Sequence, residues 1–244
     1  FDLDDDDSKN ESKLEIQYDE EQKRFFISLP WIGAHRPNNN FGCVKAQVMS
    51  MKKRLEQTGE LELYHEAISE FVKADYAEPA EPRFVQEGYY LPHHPVMKPG
   101  ATKTKCRPVF NASASILNGK SLNQCLSRGE PINCDLNLAL VNFRLAQVPL
   151  VSDVVKAFLQ IRIMEKDRDY LRYFWFEHLE DKEPTLYRLK SLLFGANCSP
   201  HILGAVLVKM FHDWRDDFPT LRRTREIVYM DDMILDVENR SQVE

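Results

Sequence analysis

Two adjacent carboxylates, Asp231 and Asp232, sit between the apolar, β-forming runs Ile227-Val228-Tyr229-Met230 and Met233-Ile234-Leu235. Aspartate is depleted from strand interiors and favoured in turns, so the pattern predicts a tight hairpin with both acids at its tip. Like charges held that close repel unless a cation is present, and oxygen ligands of this kind suit Mg²⁺ or Mn²⁺. A solvated turn that happens to hold two aspartates would look the same, and Asp216-Asp217 reads as such a pair. A third carboxylate favours the chemical reading. Asp153 ends the strand-like run Leu150-Val151-Ser152-Asp153, ahead of Val154-Val155-Lys156-Ala157-Phe158-Leu159-Gln160-Ile161. Three carboxylates of this type are what two-metal phosphoryl transfer needs, with ions about 3.5–4 Å apart serving the attacking and leaving oxygens.

The elements that would position them follow from periodicity. Phe25 to Trp31 reads as a short strand stopped by Pro30, and Arg36 to Asn40 as loop. Val44, Val48, Met51 and Leu55 recur at helical spacing, Thr58-Gly59 breaks the helix, and Leu61, Tyr64, Ile68, Phe71 and Val72 mark a second. The proline-bearing stretch Glu78 to Pro82 reads as a boundary after this helical hairpin. Gly88 to Val96 and Lys105 to Phe110 are β-prone and flank the basic turn Lys98 to Thr104, which predicts a hairpin. Within it, His93 and His94 are adjacent and point to opposite faces of a strand, so they do not share a metal. Leu136 to Leu145 has helical spacing, Leu150 to Asp153 reads as a buried strand end, and Tyr170 to Phe176 and Leu186 to Leu189 read as strands. Ser199-Pro200 opens a helix whose Leu203, Val206, Met210, Phe211 and Trp214 share a face. Strands and helices without regular βαβ alternation indicate an α+β class.

Bulk properties narrow the function further. The 244-residue chain is 43% hydrophobic with a net charge of −6. Residues 1–21 hold ten acidic side chains against Lys9 and Lys13, leaving the rest of the chain at +2. The acidic opening reads as a disordered leader over residues 1–23, and a calcium loop at Asp2 to Asp7 fails for want of its glycine and distal glutamate. The five cysteines contain no C-x-x-C pair, which argues against a disulfide framework or zinc ribbon. No apolar run approaches the roughly 20 residues of a membrane span. The absence of an initiator Met suggests a piece of a longer polyprotein.

Several motifs carry a family resemblance. Tyr229-Met230-Asp231-Asp232 resembles the Y-x-D-D box of reverse transcriptases, and Asp153 with Ala157-Phe158 resembles their first aspartate motif. Phe194-Gly195-Ala196-Asn197-Cys198-Ser199-Pro200 is similar to the segment before the palm helix of that family. Lys105 to Ser113 is similar to the fingers segment that meets the incoming triphosphate, and Gly119-Lys120-Ser121-Leu122-Asn123 to the loop after it. All occur in the family's order. Tyr89 to Val96, Arg107 to Ser113 and Lys156 to Ile161 resemble most the BEL/Pao group of long-terminal-repeat retroelements, and the likeness covers roughly residues 24–244.

The resemblance implies a right-hand polymerase fingers and palm, its antiparallel palm sheet packed on helices and preceded by a helical extension. The expected divisions are a leader at 1–23, the extension at 24–82, fingers at 83–150, and a palm at 151–244 that stops before a thumb. It implies RNA- and DNA-templated DNA synthesis with two Mg²⁺ (or Mn²⁺) ions, a primed RNA or DNA template and deoxynucleoside triphosphates. Asp153, Asp231 and Asp232 would be the catalytic metal ligands. Arg107 would contact the β- and γ-phosphates, and Lys98, Lys103 and Lys105 are auxiliary candidates. Phe158 would act as a steric gate against a 2′-hydroxyl, Phe194 and Gly195 would adjoin the nucleotide, and Tyr229 and Met230 would lie near the primer end. Phe194 stands where retroviral enzymes carry glutamine, and Asn111 replaces an acidic residue. No membrane association is expected, and the compartment implied is intracellular, a cytoplasmic particle or the nucleus. The rival reading is an inactive or domesticated fragment that binds nucleic acid or a partner.

Overall fold

The computed structural model describes residues 14–81, 88–98, 106–116, 119–130, 132, 135–214, 216, 228–229 and 232–237. Met230 and Asp231 therefore lie outside the described residues, as do Lys103, Lys105 and the acidic residues 1–13. The chain is mixed α+β, with small, mainly antiparallel sheets and several helices. It divides into two compact units, one of residues 1–128 with 159–199, the other of 129–158 with 200–244.

In the larger unit, β1 (Ile16–Asp19) pairs antiparallel with β2 (Arg24–Ile27). This corrects the leader reading for residues 14–23. Tyr18 packs its ring 5.0 Å from that of Phe25, so apolar residues at alternate positions recruit the end of an acidic segment into a sheet. The helices α1 (Phe41–Thr58) and α2 (Leu61–Lys73) follow the expected periodicity. Val44, Val48, Met51 and Leu55 form the buried stripe of α1, and Tyr64 and Ile68 that of α2. Gly59 at φ 71° ends α1, its N–H on Glu56 O and the next N–H on Leu55 O, a left-handed closure that favours glycine.

The stretch read as a boundary is instead a strand. β3 (Ala77–Pro79) pairs with β9 (Thr185–Leu189), which pairs in turn with β8 (Arg172–Trp175). Its proline, Pro79, is tolerated because β3 is an edge strand. The expected basic hairpin is β4 (His93–Met97) against β5 (Cys106–Phe110). A two-residue strand, β7 (Arg162–Ile163), lies parallel to β2, and a 3-10 turn spans Glu165–Tyr170. The short helix α3 (Leu122–Cys125) starts with a reciprocal capping box between Ser121 and Gln124.

The core between these elements is aromatic. Tyr64, His93, Phe110, Tyr173 and Trp175 are all buried and meet ring to ring. His93 and His94 do face opposite ways, buried and exposed. The Nε2 of His93 lies 2.8 Å from Phe174 O, an acceptor only, so Nε2 carries the proton and Nδ1 accepts from the Tyr64 hydroxyl at 2.5 Å. Burial pulls the pKa of this imidazole down to about 4, which keeps it neutral.

In the smaller unit, α4 (Leu136–Leu145) and all but the first residue of α6 (Ser199–Asp213) accompany a sheet of order β10 (Val228–Tyr229), β11 (Asp232–Val237), β6 (Val148–Asp153), and the short α5 (Ala157–Gln160) straddles the division after Phe158. Leu150 to Asp153 is a strand end, as expected, but its last three residues are not buried. Val151 is 63% exposed and Ser152 and Asp153 are exposed, and since successive side chains point to opposite faces, neither face of β6 is covered at this end. Helix α4 forms at its expected place, yet of its described apolar side chains only Ala139 is buried. Ile202, Leu203, Val206, Leu207 and Phe211 make the buried side of α6. Among the described residues no helix is long and apolar enough to cross a membrane.

Candidate active site

The carboxylates are assembled by strand register. Tyr229 of β10 pairs with Asp232 of β11. β11 then pairs with β6 so that Asp232 stands opposite Asp153. Directly opposed residues of an antiparallel pair project to the same face, with Cβ atoms about 4.5–5.5 Å apart. Two exposed carboxylates, 79 residues apart in the chain, thereby become immediate neighbours. Like charges so placed are destabilising unless something offsets them. Among the described residues neither acid has an ion-pair partner from the chain, and no group of three or more His, Cys, Asp or Glu side chains is positioned to hold a metal. Asp231, the third expected ligand, lies outside the described residues. The pair present is all oxygen, hard and solvent-facing, a donor set that fits Mg²⁺ or Mn²⁺.

After Asp153 the chain reverses through Val154–Lys156, closed by the Ala157 N–H on Val154 O at 3.1 Å. Lys156 adopts φ 54°, a left-handed conformation uncommon outside glycine and costing about 1 kcal/mol. The turn delivers Phe158 into α5, where it is 6% exposed, compatible with both a packed core ring and a sugar-facing one.

The remaining expected residues belong to the larger unit. Arg107 is exposed on β5, opposite Val96. Phe194 is 59% exposed. Gly195 has φ 103°, and a Cβ there would stand 2.7 Å from Phe110 O, so two motif segments meet backbone to backbone at a position only glycine can fill. Lys98 is exposed at the end of the β4 side of the hairpin.

Two asparagines tie these segments together. Asn123 donates from Nδ2 to Gly195 O (3.0 Å) and Ser113 Oγ (2.7 Å), and its Oδ1 accepts from the Asn197 N–H (2.9 Å). Asn197 Nδ2 returns to Asn123 O at 2.8 Å, and the Asn123 N–H donates to Ala112 O at 3.0 Å. The motifs at 107–113, 119–123 and 194–200 are therefore one bonded unit. Asn123 and Asn197 stood inside quoted motifs but had no assigned role, since nothing in their spacing reveals partners more than 70 residues away. Cys198 beside them is buried, which pushes its thiol up to about 12 and leaves it a packing group.

No protein-family model matches the chain, and no curated protein matches it.

Proposed function

We propose that the chain is the fingers-and-palm core of a reverse transcriptase of the BEL/Pao type, making DNA on an RNA or DNA template. The observation that chiefly supports this reading is the direct opposition of exposed Asp153 and Asp232 in the β6–β11 register. The bonded cluster of the other motif segments supports it independently.

In this reading Asp153, Asp231 and Asp232 would hold two Mg²⁺ (or Mn²⁺) ions, which supply charge neutralisation for the attacking and leaving oxygens. The task of Asp153 and Asp232 would be to stand on one face of the paired strands β6 and β11, so that little reorganisation remains at the moment of reaction. Arg107 would bind the triphosphate, for which a planar, always-charged guanidinium is suited. Phe158 would exclude a 2′-hydroxyl by shape, the 2′-OH being what separates ribose from deoxyribose. Phe194 and Gly195 would border the nucleotide, and Tyr229 and Met230 the primer end.

The test is extension of a primed RNA template with deoxynucleotides and Mg²⁺, using the chain within its complete reading frame. DNA synthesis is expected, with Phe158→Ala admitting ribonucleotides. A protein that binds primer–template but adds no nucleotide would falsify the proposal and leave the binding-module reading. Unchanged synthesis by Asp153→Asn would remove the assigned mechanism.

A further inference from the structure

The segment 193–199 of the larger unit is anchored at both ends and held out between them. Leu193, Ala196 and Cys198 are buried. Ser199 closes the stretch, donating from Oγ to Leu193 O at 2.7 Å and from its N–H to Ala196 O at 3.1 Å. Phe194 and Gly195 stand exposed between these anchors. With 59% of its surface open, Phe194 gains little direction from its own packing, so the backbone at 194–195 must set where the ring stands. That backbone contains a glycine at φ 103°, the residue type with the least conformational restraint. Glycine is needed there for the approach to Phe110 O, yet it leaves the chain free to turn unless something outside holds it.

Asn123 supplies the restraint. Its carboxamide donates to Gly195 O at 3.0 Å and accepts from the Asn197 N–H at 2.9 Å, the pair of backbone groups that a neighbouring strand would bond. Neither residue lies in a strand, so one side chain takes the place of that partner. Asn123 is itself fixed on both sides. Nδ2 also donates to Ser113 Oγ at 2.7 Å, the Asn123 N–H donates to Ala112 O at 3.0 Å, and Asn123 O accepts from Asn197 Nδ2 at 2.8 Å. The task needs a donor and an acceptor on one planar group, which a carboxamide has. An aspartate of the same shape would keep the acceptor but set a negative charge against Gly195 O.

We propose that Asn123 is a positioning residue, which fixes the Gly195 carbonyl and the Asn197 N–H so that Phe194 stands at a set place against the incoming deoxynucleotide. The inference rests on the polymerase reading and adds to it a residue that acts through Phe194 and Gly195, not on the substrate.

The experiment is steady-state incorporation of one deoxynucleotide on a primed RNA template with Mg²⁺, by the chain within its complete reading frame. Asn123→Asp is compared with the unsubstituted protein, alone and in a Phe194→Ala background. Alone, it is expected to raise KM for the deoxynucleotide about 10-fold while kcat changes by less than about 3-fold. Primer–template affinity, read by fluorescence anisotropy, is expected to stay as it is. With Phe194→Ala, the same substitution is expected to raise KM by less than about 2-fold, because the ring it positions is gone. A purely structural role would lower the thermal midpoint and the number of active molecules, and so the apparent kcat, with KM unmoved. Should Asn123→Asp fail to fold, Ser113→Ala removes a single bond to the carboxamide at an exposed position and is expected to raise KM about 3-fold. An unmoved KM, or the same rise with and without Phe194, overturns the proposal and keeps the polymerase reading. No DNA synthesis by the unsubstituted protein removes the polymerase reading, and this inference with it.

Discussion

Two sets of carboxylates, one in each unit, are treated in opposite ways, although the smaller unit also pairs Asp213 with Lys209 (2.8 Å). In the larger unit Asp75 meets Arg162 (2.9 Å) and Lys190 (2.6 Å), and Glu78 meets Arg188 (2.8 Å) and Arg168 (3.2 Å). Glu165 and Asp169 extend the network to Arg168, Arg172 and Arg188. The hydrogen bond from the Lys190 ammonium holds the Asp75 carboxyl below its ordinary range. In the smaller unit Asp153 and Asp232 face one another instead of a cation. A fold that stabilises acids with arginines on one sheet and sets two acids together on another is using them differently. The first arrangement stabilises structure, whereas the second leaves a charge for something outside the chain to neutralise.

That contrast makes predictions of opposite sign. The largest effect is expected at the opposed pair. Asp232→Asn should lower nucleotide incorporation about 1,000-fold, equivalent to about 4 kcal/mol of transition-state stabilisation, with no loss in thermal midpoint. A loss of fold alongside activity would mean that this pair, too, is structural.

Next comes the neutral imidazole at the centre of the larger unit. His93 has a folded pKa of about 4 against an ordinary 6.5, so below pH 6.5 the unfolded chain takes up a proton that the folded chain refuses. Stability should therefore fall from pH 6.5 toward pH 4, by about 3 kcal/mol from this group, and stay flat in this respect above pH 6.5. Urea midpoints measured across that range should show the slope, and His93→Gln should flatten it. An identical slope in the variant would assign the acid sensitivity elsewhere.

Glu78→Gln should follow, destabilising by about 2 kcal/mol in urea, because Arg168 and Arg188 would lose the carboxylate they share. Smallest is Asp153→Asn, expected to stabilise by a few tenths of a kcal/mol through relief of cross-strand repulsion. If both substitutions shift the midpoint in the same direction, the distinction between the two kinds of carboxylate fails.

Much of the architecture could be read locally. The stripe Val44, Val48, Met51 and Leu55, the break at Gly59 and the hairpin around Lys98 all follow from patterns a few residues long, and all are present. The failures share one cause. β1 was hidden by the acids around Ile16 and Tyr18, β3 by its proline, and β7 by its length, since each exists only through a partner strand elsewhere in the chain. Burial likewise departs from the apolar pattern at Val151 to Asp153, because a strand's sequence does not say whether anything covers its faces. For the candidate site, the acid residues and the glycine were legible as types. The asparagine links among the 107–113, 119–123 and 194–200 segments were not.

What the sequence determined alone was chemistry and local geometry: two acids after an apolar strand, a third at the end of another, and turns where each chain reversal had to occur. Tertiary structure decided which acids meet. Pairing of β6 with β11 could have slipped by one residue and turned Asp153 and Asp232 to opposite faces. The register observed sets them side by side, because strand alignment is settled by the whole packed sheet, and no nine-residue motif contains that information.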